Sequence, residues 1–517
     1  MEFQTRVIRK CQEKGRAFSQ ITLDDDYIVP DSRPDVIKII HTQGNIIFEE
    51  TRISNQAVWM KGRLDFSVLY RSDQEDNKIE TTNGSIPFQE KLVIDGVEEL
   101  DPLKLSWTLE DISVTLINSR KLGIRALADI LVIAEEHKDE EIPYGVEGEQ
   151  YQQKVVDQEV LRLVSSKKDI LRIRNELALP NAKPNIHRLL WYCINPRNME
   201  PVLANGRIHM NGEAQIGILY RSTEDDQIQW YETMMPFQGE IDCGTCEESD
   251  IFWTRAEPVT LELEARSDYD GEERLLGIEI ALDVDIKLWK EETISILEDV
   301  FALDRRVIPH YEQSMFQKLL VKNAAKIRLA EQIKLEKDQE RILQICSCEG
   351  NVGIDHTTIT EDGILVEGVL NVHALYVTAD DNFPVSHFSA TIPFEQLIEV
   401  PDICADIQFE IESGIDQLGL NLMDNSECEM KAVISLCVIA LEPFAVNRLV
   451  GVEEEPINVE ELQKQPGLIG YVVRAQEDLW DIAKQYHTTV EELMNTNALK
   501  SRNVRPGTKI MIVKKVS

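Results

Sequence analysis

Positive charge is what this sequence has least of: 54 lysines and arginines face 92 aspartates and glutamates, a formal net charge of −38 over 517 residues. So acidic a surface repels phosphate backbones and anionic headgroups, so nucleic acid and membrane surfaces are not expected partners. Long apolar runs are also missing. The longest near-continuous one, residues 432–441, is broken by Ser435 and is far shorter than the roughly 18–20 residues of a bilayer-spanning helix. The start, Met1-Glu-Phe-Gln-Thr-Arg6, runs directly into alternating polar and apolar residues without the apolar stretch of a secretory signal, so export by that route is not expected. Nine cysteines, an odd number spread over the chain, suit a reducing compartment better than a disulfide framework.

Chemical signatures are equally sparse. The nine histidines form no His-x-x-x-His pair, and there is no phosphate-binding Gly-x-x-x-x-Gly-Lys-Ser/Thr loop, no Gly-x-Ser-x-Gly elbow and no Rossmann glycine pattern. Cys243-Gly-Thr-Cys246 has the spacing of a metal or redox pair, and Cys346-Ser-Cys348 could serve as its partner. A zinc site needs its ligands in one place, however, and 100 residues with a domain boundary separate the pairs, so both read as incidental thiols. Asp24-Asp25-Asp26 and Asp380-Asp381 lack calcium-loop spacing and read as solvated turns. No catalytic residue, metal set or cofactor is expected, and the chain reads as a non-enzyme.

What the sequence does have is repetition. A strand-like block ending in Leu-Tyr occurs three times, with Gly62 eight residues before Tyr70, Gly212 before Tyr220 and Gly368 before Tyr376. Each tyrosine is followed, after 17, 16 and 17 residues, by Pro87-Phe88, Pro236-Phe237 and Pro393-Phe394. The tyrosines lie 150 and 156 residues apart, a period long enough for each copy to hold its own core, which argues for three beads rather than a solenoid. The first two copies share an entrance, Pro30-Asp-Ser-Arg33-Pro34 and Pro180-Asn-Ala-Lys183-Pro184. The third, around Glu336-Lys-Asp-Gln-Glu340, has lost both prolines. Exit strands begin at Leu122, Leu276 and Met430.

In residues 277–289, Ile278, Ile280, Leu282, Val284, Ile286 and Leu288 alternate with Glu279, Asp283, Asp285 and Lys287, the period-2 pattern of a half-buried strand. Acidic turns such as Glu224-Asp225-Asp226 and Asp380-Asp381-Asn382 follow the tyrosine strands. The fold class expected is mainly β: three repeated antiparallel sandwich-like domains over 1–150, 151–310 and 311–451. A charged, proline-punctuated linker follows at 452–467.

Residues 468–517 differ in kind. They carry eight basic and five acidic residues, net +3, which leaves −41 on the rest of the chain. Tyr471-Val-Val-Arg reads as a strand, while Leu479, Trp480, Ile482, Ala483 and Tyr486 form a helical stripe with Asp478 as its N-cap. Thr489-Val-Glu-Glu492 has the spacing of a capping box for a second helix, and Arg505-Pro-Gly507 turns into a final strand, giving a small α+β module of order βααβ.

This module resembles a LysM domain in its Tyr-x-Val opening, Leu-Trp-x-Ile-Ala helix, Leu-x-x-x-Asn segment and Pro-Gly-x-x-Ile-x-Ile ending. The three copies, with their Pro-x-x-Arg/Lys-Pro entrance, Gly-x7-Tyr strand and Pro-Phe strand, resemble SPOCS domains, and the combination is similar to a family of spore-coat morphogenetic proteins. The resemblance implies a non-enzymatic scaffold made in the mother-cell cytoplasm and placed at the forespore surface and spore coat. There its LysM would dock a coat-basement ATPase of the stage IV sporulation protein A type, among other coat proteins. The alternative it implies is binding of peptidoglycan or N-acetylglucosamine polymers in the cell wall or cortex, in the groove formed by the loop before the first helix and the loop after the second. Gln476 weighs against the sugar, because it stands where the family has glycine and a glutamine resists a positive φ. Gln476, Asp478, Trp480, Lys484, Asn497 and Lys500 are the candidate partner-binding residues, although the place of Trp480 in the apolar stripe favours a core role for it; Lys484 and Lys500 with Arg474, Arg502 and Arg505 could form a basic face for an acidic partner.

Overall fold

The computed structural model describes residues 1–74, 78–224, 227–244, 246–336, 339–380, 382–456 and 466–513. In the first repeat β1 (Phe3–Ile28), β6 (Lys121–Val146) and β5 (Leu103–Asn118) form one antiparallel sheet, with β6 central. A second sheet is built of β2 (Val36–Ser54), β3 (Ala57–Ser72) and β4 (Ile79–Val93), with β3 central. The two sheets stack through Leu64, Val68 and Tyr70 of β3 and Ile124, Ile130 and Val132 of β6. The second repeat has the same plan: β7 (Tyr151–Ala178), β12 (Glu273–Ala302) and β11 (Ile251–Ser267) stack on β8 (Ile186–Ala204), β9 (Arg207–Ser222) and β10 (Ile228–Asp242). So does the third, with β13 (Arg305–Lys334), β18 (Glu427–Pro456) and β17 (Gln408–Asp424) on β14 (Ile342–Ile359), β15 (Gly363–Thr378) and β16 (Val385–Glu399). The even-numbered apolar residues 278–288 all lie in the second core, as their alternation requires.

The recurring glycine and tyrosine have separate jobs. Register places Gly62 opposite Phe88, Gly212 opposite Phe237 and Gly368 opposite Phe394. A Cβ at these glycines would sit 2.7, 2.6 and 2.8 Å from the facing phenylalanine ring. Each aromatic ring is seated over a backbone that only glycine leaves bare. The tyrosines are fully buried, and their hydroxyls donate to entrance carbonyls: Tyr70 to Pro34 at 3.1 Å, Tyr220 to Pro184 at 3.0 Å and Tyr376 to Glu340 at 2.9 Å. A carbonyl is common to every residue, which is why the third repeat keeps the bond without the proline. The side-chain clamps differ: Arg120 holds the first entrance through Arg33 O and Asp35, and Arg274 holds the second through Pro180 O and Asn185.

Three boundaries differ from the sequence reading. Repeat three runs from Arg305 to Pro456, because β13 and β18 pair along their whole length, so residues 452–456 continue a strand. The exit of that repeat begins earlier than Met430: Cys428 faces Ile333 as Leu122 faces Tyr27. Of the expected linker, residues 457–465 lie outside the described residues, as do Asp225, Asp226 and Asp381 of the expected turns.

The repeats are not beads on a string. Only the first half of β6 has β5 beside it; beyond Ala134 it pairs with β1 alone, making a two-stranded arm. The other repeats have the same arm, and the three arms share a core of Ile8 and Ile142, Val160 and Ile294, and Phe316 with Phe444. A second shared core joins equivalent positions of the other sheets: Ile40, Leu190 and Cys346; Leu69, Leu219 and Leu375; Ile79, Ile228 and Val385. Contacts run in one sense, β4 on β8, β10 on β14 and β16 on β2, so the chain closes into a ring with pseudo-threefold symmetry.

At one joint of the ring the His41 ring packs on Trp191 at 4.8 Å and lies 5.6 Å from His387 and 6.2 Å from His373. Burial, then the neighbouring His387 and His373, pushes His41 down from 6.5 to about 3. His373 and His387 are also lowered, chiefly by burial.

Two predictions follow from this packing. Tyr70→Phe should cost about 1 kcal/mol in urea unfolding, from the lost hydrogen bond. Gly62→Ala should cost roughly 1–3 kcal/mol, because the added Cβ would meet the Ile47 carbonyl oxygen at 2.5 Å as well as the Phe88 ring, and a neutral Gly62→Ala would refute the seating argument. The second concerns acid. The unfolded chain takes up the His41 proton near pH 6.5 and the folded chain does so only near 3, so stability is present above the unfolded value and declines as pH falls between the two. The slope from His41 approaches ~1.4 kcal/mol per pH unit. His41→Gln should flatten the pH dependence of the urea midpoint between pH 7 and 5; an unchanged slope would show that the histidine joint does not carry it.

Candidate functional site

The C-terminal module is β19 (Leu468–Val472), α1 (Leu479–Tyr486), α2 (Val490–Thr496) and β20 (Lys509–Val513), with β19 and β20 paired antiparallel. Asp478 caps α1 reciprocally: its carboxylate accepts from Asp481 N at 2.9 Å, and the Asp481 carboxylate accepts from Asp478 N at 3.1 Å. The Thr489 hydroxyl accepts from Glu492 N and caps α2. Leu479, Ile482, Ala483, Leu493, Ile510 and Ile512 form a small core, to which Phe301 of β12 also belongs.

The module therefore sits on the arm of the second repeat. Trp480 packs edge-on against Phe301 at 4.8 Å, and its Nε1 donates to Asp299 Oδ2 at 2.8 Å. Lys484 Nζ bonds both Asp299 oxygens at 2.7 Å, and Lys154 of β7 reaches Asp478 at 3.4 Å. Burial disfavours the Asp299 carboxylate, but hydrogen bonds from Lys484 and Trp480 outweigh it and hold the group below its usual range.

The six candidate residues separate accordingly. Asp478, Trp480 and Lys484 come together, but against this chain's own arm, so the face they make is already occupied. Sequence gave no sign of this because Asp299 and Phe301 belong to a distant strand. Asn497 is a staple: its Nδ2 donates to Leu493 O and Met511 O, and its Oδ1 accepts from Met511 N. Gln476 and Lys500 remain exposed, with Arg474, Arg502 and Arg505, on the loops flanking the helices. Gln476 has φ +69, so the loop keeps the left-handed turn that glycine would give, at some strain.

The cysteine pairs do not meet. Cys243 and Cys246 are buried in the second core, Cys346 lies in the shared core between repeats and Cys348 in the third. A cleft of about 390 Å³ opens between the first two repeats, lined by Lys104, Glu135, His137, Lys168, Arg255 and Lys287 among others. Its charges are largely paired: Lys287 with Glu135 and Glu410, Lys104 with Glu410, Lys168 with Asp285, and Arg255 with Glu257 and Glu412. Among the described residues no helix is long and apolar enough to cross a membrane.

A ring of three like sandwiches carrying one βααβ module defines a repeat protein with an appended recognition domain. Family models specify both parts: the model described as SipL, SPOCS domain, matches residues 35–117, 185–263 and 341–423, and the LysM domain model matches 471–513. The chain thus carries three SPOCS domains of the SipL type and a C-terminal LysM domain, both non-catalytic domain families. Comparison with curated proteins and with solved structures gives no match.

Asp299→Ala should loosen the LysM from the arm by about 2 kcal/mol, the scale of hydrogen bonds to a charged group. Amide hydrogen exchange in residues 479–486 and at the end of β12 should rise together. Unchanged exchange in 479–486 would show that Asp299 does not hold the module.

Proposed function

We propose that the protein is a non-enzymatic scaffold for spore-coat assembly, acting in the mother-cell cytoplasm at the forespore surface, whose LysM domain docks a coat ATPase of the stage IV sporulation protein A type. The observation that carries this reading is the joining of three SPOCS domains to one LysM domain in a single chain. Two features support protein docking in particular. The LysM is buttressed on one side by the second repeat, which leaves its other loops as the surface open to a partner. That surface carries exposed Arg474, Lys500, Arg502 and Arg505 on an otherwise acidic chain, a contrast that favours an acidic partner in close contact with it.

Binding of an N-acetylglucosamine polymer is the second reading. The left-handed backbone at Gln476 favours it, because the loop shape survives the loss of glycine.

Calorimetric titration of the full chain against the ATPase and against N-acetylglucosamine oligomers separates the two. The scaffold reading expects saturable binding to the ATPase, none to the sugar, and a loss of at least about tenfold in the Lys500→Glu, Arg502→Glu double variant, given the several kcal/mol that like-charge juxtaposition costs. Saturable sugar binding with no ATPase binding would overturn it.

A further inference from the structure

One cluster of side chains lies outside the LysM module and its seat on the second arm. In the first arm β1 and β6 pair so that Cys11 faces His137, and strand alternation puts Glu135, two residues away, on the same face. Cys11 Sγ lies 3.4 Å from Glu135 Oε2, which lies 3.9 Å from His137 Nε2, and the three donor atoms all fall within 4.8 Å of one another. Tetrahedral ligands at zinc distances of ~2.0–2.3 Å stand roughly 3.2–3.8 Å apart, so small side-chain rotations would bring these three onto one ion. His137 Nε2 is buried without a hydrogen-bond partner, an orphan of the kind that calls for a missing ligand. The second oxygen of Glu135 is held by Lys287, which also reaches Glu410 at 3.3 Å, so the carboxylate is oriented from behind as ligating carboxylates are. Glu135 and His137 line the 390 Å³ cleft, which has room for a water molecule in a fourth position.

We infer that Cys11, Glu135 and His137 form a binding site for one zinc-class divalent ion, open toward the cleft between the first two repeats. Thiolate, imidazole and carboxylate together select zinc or cobalt over magnesium or calcium. Binding replaces the thiol proton, which leaves to solvent, so thiolate and carboxylate together neutralise the ion while the imidazole stays neutral. The ion would tie β1 to β6 beside Lys104, Lys287 and Glu410, side chains that come one from each repeat, and so would stiffen the ring where the repeats meet.

The test uses the full chain. Cobalt(II) should bind with one saturating equivalent and give a thiolate-to-cobalt charge-transfer absorption that added zinc removes. Cys11→Ser should abolish that absorption, His137→Gln should weaken binding at least tenfold, and Cys243→Ser should change neither. Zinc should raise the melting temperature of the wild type but not of His137→Gln, by mass action on the folded state; circular dichroism checks that each variant is folded. The inference is overturned by the absence of saturable binding in the wild type. It is equally overturned by an absorption that persists in Cys11→Ser or disappears in Cys243→Ser.

Discussion

The ring depends on charge complementarity between positions that are equivalent in the three repeats yet occupied by different residues. Lys104, Trp253 and Glu410 stand at matching places on β5, β11 and β17, facing Ile133, Lys287 and Ile439 on the central strands. Lys104 and Lys287 both pair with Glu410, and Lys287 also pairs with Glu135. One step along, Ser106, Arg255 and Glu412 repeat the arrangement, with Arg255 bonded to Ser106 and 3.4 Å from Glu412. A trimer of identical chains would bring three identical side chains to such an axis, and three like charges in a desolvated place repel. A fused chain escapes that constraint, because each copy can carry a different member of a complementary set. Burial alone would raise Glu410, yet Lys287 and Lys104 keep it below its usual range.

The same logic operates in the arms. Lys10 and Glu140 are both buried and paired, Glu140 also accepts from Ser314 Oγ at 2.6 Å, and Arg448 Nε lies 3.1 Å from it. The first repeat, through β1 and β6, and the third, through β13 and β18, thus contribute to one desolvated ion cluster. Removing one member of such a cluster leaves an uncompensated buried charge, typically a loss of 3–5 kcal/mol. Ionic contacts here specify which repeat sits beside which. The shared apolar cores supply the burial, and apolar contact alone would not distinguish one repeat from another.

Much of the fold inside each repeat was legible. Gly-x7-Tyr and Pro-Phe mark the seating of a ring over bare backbone and the tie to an entrance carbonyl, both local to three neighbouring strands. Alternation in residues 277–289 pointed to the face that is buried. Ring closure was not legible, because the repeat period that relates Ile40, Leu190 and Cys346 marks them as equivalent and does not say that they touch. The family-model matches show the same division: each covers the middle strands of a repeat and stops short of the long flanking pair that builds the arm. In the LysM, the capping role of Asp478 could be read from its place before an apolar stripe. The engagement of Trp480 and Lys484 with Asp299 could not, since an aromatic and a lysine on a helix face look the same whether they await a partner or already have one. Cys11 and His137 lie 126 residues apart and become neighbours only through the β1–β6 register.

The docked LysM changes what the module can offer. In isolation its first helix would present an indole and an ammonium group, the residue types that dominate protein-binding hot spots and anion capture. On this chain both are spent on Asp299, and their desolvation is compensated within the molecule. The surface left for recognition is the pair of loops carrying Gln476 and Lys500, with three arginines near them in sequence. A basic patch on a module held against a body of formal charge −41 is attractive to an anionic partner only within about a Debye length, roughly 8 Å at physiological salt. Beyond that distance the patch is largely screened and exerts no pull. Short-range attraction without a long-range pull favours a partner already held near the site over one captured from bulk solution, a condition that the proposed coat assembly would meet.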